Sequence, residues 1–270
     1  MRKNRLFRRG SAFVLLGMLL LTLLGFCAVW PEASGTDRRA DGNLVVDMSN
    51  VQDGYVMVRG PEASKRLKLR IAFGETMFTY DLNTEGAFEV FQLQMGSGTY
   101  TCSLYKNVKG NQYSQEGQIS FSATLEDEMA AYLCPNQYVN YTPDTPAIQK
   151  AEELCAGLDS QADKFAAIRG FVEQNFAYDF IRAVTVQGGQ MPDIDYCYEN
   201  KMGICQDLSA MMAGMLRSQG VPARMMIGYA DKQYHAWLNV YVDGEEVFYD
   251  PTAALNGMAK PNSYTTERFY

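Results

Sequence analysis

The chain has one histidine among its 270 residues, His235. It lies thirty residues after Cys205 and fifteen before Asp250. A thiol, an imidazole and a carboxylate in that order supply the groups that a cysteine nucleophile needs. The thiol attacks a carbonyl, the imidazole moves the proton, and the carboxylate fixes the imidazole's tautomer. Any Cys–His chemistry here runs through His235, and its partner is one of six cysteines.

The surroundings of each cysteine separate them. Cys205 follows Gly203-Ile204 and opens an amphipathic run in which Leu208, Met211, Met212, Met215 and Leu216 fall at helical spacing. Gly220 and Pro222 end that run. Cys205 is therefore expected at a helix N-terminus, where unsatisfied N–H groups and the macrodipole favour a thiolate. Cys155 reads as mid-helix. Cys102 shares a strand face with Tyr100 and Leu104 and reads as core. Cys27 lies in an apolar N-terminal run. Cys134 and Cys197 read as loop residues, either disulfide partners or spare thiols. A buried cysteine alone is often just a small hydrophobe; the joint presence of His235 and Asp250 favours chemistry at Cys205.

A hairpin ties the other two groups together. Strand-like runs cover 223–229, 234–242 and 246–250, and Asp243-Gly244 is a two-residue hairpin signal. Pairing Val242 with Glu245 puts Trp237 opposite Asp250 and His235 opposite Thr252. His235 and Trp237 share a face because they are two apart. Asp250 is then a diagonal neighbour of His235 on that face. Taken singly, a lone strand histidine is usually structural and an aspartate before proline is usually a turn residue. One register joins the two.

Gly203-Ile204-Cys205-Gln206-Asp207, the run from Leu216 to Arg224, Gly228-Tyr229, His235-Ala236-Trp237 and Asp250-Pro251-Thr252 together resemble the bacterial transglutaminase-like superfamily. Phe176-Ala177-Tyr178-Asp179 upstream is also similar to that family. The resemblance covers roughly 147–270. It implies a papain-like core, with a nucleophile helix packed on an antiparallel sheet. It also implies Cys205 as nucleophile, His235 as acid/base and Asp250 as orienter. Many relatives carry Glu where this chain has Asn239. The Cys205 N–H is the natural first oxyanion donor. Tyr196, Tyr198 and Gln206 are weak candidates for the second. No cofactor is implied, no metal-ligand cluster is visible, and Asp193-x-Asp195 is too short for a calcium loop.

The remaining elements must position these groups. Residues 147–158 read as a helix, and 160–176 as a stronger one with Ser160 or Asp159 as N-cap. Residues 177–202 look loop-rich. From 43 to 127 the chain reads as short strands. Leu67, Leu69, Ile71 and Phe73 alternate with Lys68, Arg70 and Ala72, and Gly-containing turn signals punctuate the runs. About seven strands are expected from such spacing. The expected fold is α+β: an antiparallel β-sandwich at 43–127, a connector at 128–146 and the transglutaminase-like domain at 147–270. No catalytic constellation appears in the β-module, which reads as a spacer or binding module.

Five basic residues before position 10 precede nineteen uncharged residues, Ala12 to Trp30. Residues 1–35 are thus a signal sequence or a membrane anchor. Retention, cleavage near Ala33-Ser34-Gly35 and lipidation of Cys27 all remain open. The basic flank places the body outside the cytoplasm. Without residues 1–35 the chain holds 19 basic and 30 acidic groups, a net of −11. That excludes nucleic acid as a natural partner. The expected protein is an extracytoplasmic bacterial thiol enzyme, anchored or secreted. Its expected partners are a protein or peptide substrate and cell-envelope components. Hydrolysis is favoured, because an exposed site admits water at far higher concentration than any amine. Cross-linking transamidation and a non-catalytic surface binding protein are the alternatives. Among the five cysteines after Cys27, an odd number, one thiol should stay free.

Overall fold

The computed structural model describes residues 28–255 and 257–270. The anchor or signal segment expected at 1–35 lies outside them up to residue 27, as does the candidate lipidation site Cys27. Among the described residues no helix is long and apolar enough to cross a membrane.

The first part of the chain is eight strands: β1 (Arg38–Asp41), β2 (Leu44–Asp47), β3 (Tyr55–Arg59), β4 (Leu67–Phe73), β5 (Thr76–Leu82), β6 (Glu89–Gln92), β7 (Gly98–Lys109) and β8 (Gln112–Ala123). They form two four-stranded antiparallel sheets, β1-β2-β3-β6 and β5-β4-β7-β8. The alternation read in β4 is real: Leu67, Leu69 and Ile71 are buried while Lys68 and Arg70 between them are not. Side chains at even spacing share one face of a strand, so Leu69 meets Leu104 across the β4–β7 pair and Leu44, Val46, Val56 and Val58 of the first sheet join the same core.

Between Ala123 and Pro146 the chain has one 3-10 turn, Ala130–Leu133. The second part is α1 (Pro146–Cys155), α2 (Gln161–Asn175), β9 (Ala177–Tyr178), α3 (Phe180–Thr185), α4 (Ile194–Asn200), β10 (Met202–Gly203), α5 (Cys205–Ser218), β11 (Ala223–Ala230), β12 (Gln233–Val242), β13 (Glu245–Tyr249), α6 (Pro251–Ala254) and β14 (Tyr264–Phe269). Strands β13-β12-β11-β14 form an antiparallel sheet on which α5 packs.

Several expectations are corrected. The 177–202 stretch is not loop-rich. It holds two short helices and a parallel two-residue pairing of β9 with β10. Asp179 and Asp193 cap those helices through their side chains, local signals that hydrophobic periodicity does not register. Cys155 ends α1 and is not mid-helix. Cys197 lies inside α4, and Cys197 and Cys134 are both fully buried thiols, as all five described cysteines are free. Helix α5 is not amphipathic in effect. From Asp207 to Ser218 every residue is buried, because α1, α2, α4 and α6 enclose the side away from the sheet. Each of its Leu and Met side chains contributes about 1.5–3 kcal/mol on burial.

Candidate active site

Cys205 is the first residue of α5. Its position is set from both sides. Gly203 must be glycine, because a Cβ there would meet the Cys197 sulfur at 2.8 Å and the Asp207 Cβ at 2.9 Å. Asp207, three residues beyond the N-cap Ile204, turns back and accepts the Ile204 N–H at 3.2 Å. The same fully buried carboxylate takes a two-pronged bond from Arg182, at 2.7 and 3.2 Å, and the Asp193 N–H at 3.0 Å. Arg182 lies over the Tyr196 ring, and Tyr196 donates its hydroxyl to Asp179. One carboxylate thus clamps the starts of α4 and α5 to α3.

His235 arrives from β12. The hairpin register is the one read from the sequence: Val242 faces Glu245 and Leu238 faces Tyr249. Asp243 and Gly244 both take positive φ, 52° and 87°, as a type I′ turn demands. Pairing stops at Tyr249, so Asp250 is not a strand residue but the N-cap of α6. Its two oxygens divide the work. Oδ1 accepts the N–H groups of Thr252 and Ala253 at 2.9 and 3.0 Å. Oδ2 accepts His235 Nε2 at 2.8 Å and the Tyr264 hydroxyl at 2.7 Å. The turn-residue role and the imidazole-orienting role are both present. With Nε2 engaged, Nδ1 is the nitrogen left for the thiol.

His235 and Cys205 line one cavity of about 270 Å³. Ser209 donates to the Ala236 carbonyl at 3.2 Å and ties α5 to β12 beside it. Burial opposes charge on the imidazole. Hydrogen bonds to Asp250 and to the Cys205 thiol, with the charge of both, outweigh it and push His235 up to about 9. Burial also acts against the Asp250 carboxylate, yet its bonds from His235, Tyr264 and Ala253 hold it below the usual range. The other thiols differ. Burial pushes Cys102 and Cys134 up to about 12 and raises Cys155 and Cys197. Only Cys205 of the described cysteines is partly accessible.

The sequence reading missed Tyr264 because it missed β14. The aromatic and β-branched run Tyr264-Thr265-Thr266 was the available signal, though without an apolar face to mark it as a strand. Gly228 lets that strand in: a Cβ there would lie 2.0 Å from the Thr265 carbonyl, where the β11–β14 register shifts. Asp231 then holds the approach through the Asn262 and Ser263 N–H groups. Of the candidate oxyanion donors, Tyr196 is committed to Asp179 and Tyr198 is covered by Lys201 at 3.5 Å. Gln206 does border the Cys205 cavity, with its amide donating to the Gln190 carbonyl. Asn239 instead bonds Glu246. A larger cavity, about 620 Å³, lies between the β-module and residues 189–192 but contains neither Cys205 nor His235. The placement of thiol and imidazole makes the smaller one the candidate reactive centre. Among the described residues no group of three His, Cys, Asp or Glu side chains is placed to hold a metal ion.

Residues 148–251 match the family described as the transglutaminase-like superfamily. A Bacillus subtilis protein, YebA, is 29% identical over 137 residues, which cover 43% of this chain. The match spans only 18% of that relative's length. A solved structure from Cytophaga hutchinsonii, described as a candidate cysteine protease, aligns with a TM-score of 0.40 and 17% identity over 72% of this chain and 68% of its own. The periplasmic domain of TgpA from Pseudomonas aeruginosa aligns with a TM-score of 0.38 and 16% identity over 84% and 78%. The chain is an α+β protein in which a β-rich N-terminal module precedes a domain that matches the transglutaminase-like superfamily over residues 148–251.

Proposed function

We propose that the C-terminal domain is a Cys–His–Asp enzyme that cleaves amide or peptide bonds through a thioester on Cys205. The observation that carries this reading is the His235 Nε2–Asp250 Oδ2 bond at the wall of the cavity that Cys205 also lines. The raised imidazole sets a positive charge beside the sulfur that attacks. The thiolate attacks the carbonyl, and the Cys205 N–H at the start of α5 faces the developing oxyanion. His235 gives its proton to the departing amine, then takes one from water as the thioester is resolved. Asp250 keeps Nε2 protonated and Nδ1 aimed at the sulfur. Hydrolysis is the favoured outcome, since water outnumbers amines in a cleft open to solvent. The substrate is a protein or peptide, and the protein works outside the cytoplasmic membrane of a bacterium, tethered or released.

The test is a thiol-reactive probe followed by mass spectrometry of each cysteine. Cys205 is expected to react fastest, and equal or slower reaction than at Cys134 or Cys197 counts against the reading. Incubation of a peptide with and without a lysine-like amine separates the outcomes: release of free acid is hydrolysis, and amine incorporation is cross-linking. Protease shaving of intact cells tests the location, and full-length protein in the cytosol refutes it.

A further inference from the structure

The cleft has two arms. The first is the cavity that holds Cys205. The second, about 570 Å³, lies on the other side of the imidazole. His235 and Tyr234 line both, Cys205 only the first and Asp250 only the second. Phe180 and Val184 of α3 form one wall of the second arm. They are 66% and 84% exposed, and neighbouring Ile181 is 78% exposed. Among the described residues these are the three most exposed large hydrophobic side chains. Such a cluster on a soluble surface marks a binding surface.

The exposure is not slack. The helix is pinned by its polar side, through Arg182 on Asp207 and the Asp179 cap. Its apolar face is held open next to the reacting groups, and its anchor is the carboxylate that fixes the start of the Cys205 helix. The second arm offers a basic side chain little. Its carboxylates, Asp231 and Asp250, already accept hydrogen bonds from Asn262, Ser263, His235 and Tyr264.

Chemistry says which part of a substrate passes there. In acyl transfer the imidazole protonates the departing amine, so that amine lies beside the ring. The amine side of the substrate then runs past His235 into the arm without the thiol. We propose that Phe180 and Val184 form a specificity subsite for an aromatic or branched aliphatic side chain on the amine side of the attacked bond. This rests on Cys205 being the nucleophile.

The experiment runs the amine half-reaction in reverse on the full-length protein. p-Nitrophenyl acetate acetylates Cys205, and p-nitrophenolate leaves. An added amino-acid amide then attacks the thioester carbonyl. The new N–C bond forms, the C–S bond breaks, and the amine's proton passes to His235. Phenylalaninamide and leucinamide are expected to be acetylated at least about 10-fold faster than glycinamide and serinamide at equal concentration, the usual scale for filling an apolar pocket. In the Phe180→Ser/Val184→Ser double variant, normalised to the acetyl-enzyme formed, that ratio falls at least about 3-fold. A burst with no preference among amides, or a preference that the double variant keeps, overturns the subsite and leaves the nucleophile intact. Absence of a burst at Cys205 overturns the nucleophile and the subsite with it. Binding to phosphatidylcholine vesicles that the double variant abolishes, with the amide preference unchanged, makes the face a membrane-docking surface and overturns the subsite too.

Discussion

The two ends of α5 each bury a charge completely, and they do so in opposite ways. At the start, Asp207 meets the guanidinium of Arg182, so charge meets charge. At the end, Arg217 donates to backbone oxygens of Cys134, Tyr270 and Ala223 at 2.8, 2.9 and 2.9 Å and, among the described residues, pairs with no Asp or Glu side chain. Burial pulls that guanidinium down to about 10. The first arrangement joins the segments around the proposed nucleophile: α3, the start of α4 and the Cys205 turn. The second joins the connector, the end of the sheet and the β11 entry. A ring of backbone oxygens fixes a large side chain, and the titratable groups that feel its charge are the buried Tyr132, Cys134 and Tyr141, not Cys205. An ion pair beside a nucleophile fixes its position and shapes its field.

The largest effect is expected at the nucleophile itself. Cys205→Ala should cut turnover by about 10⁴-fold or more, on the scale of removing a covalent nucleophile, with the circular dichroism spectrum unchanged. Residual turnover within tenfold of wild type would move the chemistry elsewhere.

The comparison of the helix ends breaks or stands on two substitutions. Asp207→Asn leaves the partly buried Arg182 without its carboxylate and should cost about 1–3 kcal/mol in urea unfolding. It should also slow Cys205 alkylation in molecules that remain folded. Arg217→Met leaves three buried backbone oxygens without this donor and should cost about 2–5 kcal/mol, with Cys205 alkylation of the folded fraction within twofold of wild type. Equal effects of both on alkylation would erase the distinction between the ends.

Asp250→Asn should be milder for activity, about 10- to 10³-fold on the scale of acid–base contributions. An Asn amide still caps α6 through its oxygen, but it can favour the wrong imidazole tautomer and stabilises no imidazolium. Identical turnover would reduce Asp250 to its capping role.

The smallest effect is a pH shift. The folded pKa of His235 is raised, so the stability it contributes is complete below its ordinary value near 6.5 and is lost as pH rises through about 9. Asp250 is lowered, so its contribution is present above the ordinary carboxylate range and fades as pH falls through it. Urea midpoints of the wild type should therefore decline between pH 6.5 and 9. In Asp250→Asn that decline should be smaller and end at lower pH. Superimposable profiles would mean that the carboxylate does not hold the imidazolium.

Much of this was legible along the chain. The His235 hairpin was, because a two-residue turn fixes register and register fixes faces. The start of α5 was, because a Gly-Ile lead and a helical run bracket it. The β4 and β7 strands were, through their alternation. The 177–202 stretch was not, since helices of six and seven residues begin on aspartate caps and carry little periodicity. Strand β14 was not, since Tyr264-Thr265-Thr266-Glu267-Arg268-Phe269 lacks a clean apolar face: its residues are mostly exposed. Cys134 was read as a loop thiol, yet it is buried against Tyr55 and Met57. Burial of a loop residue depends on what packs over it, which no local pattern records.

By itself the sequence determined the reactive types and their local settings: one imidazole on a strand, one thiol at a helix start, one carboxylate before a proline. Those follow from turn chemistry and periodicity, which act over a few residues. Only the tertiary structure decided that Tyr264 shares the Asp250 oxygen with His235, that Arg182 reaches Asp207 across 25 positions, and that α3 holds Phe180 and Val184 open beside the imidazole. These contacts join segments far apart in the chain, and their geometry exists only once the sheet and the buried helix have fixed the distances between them.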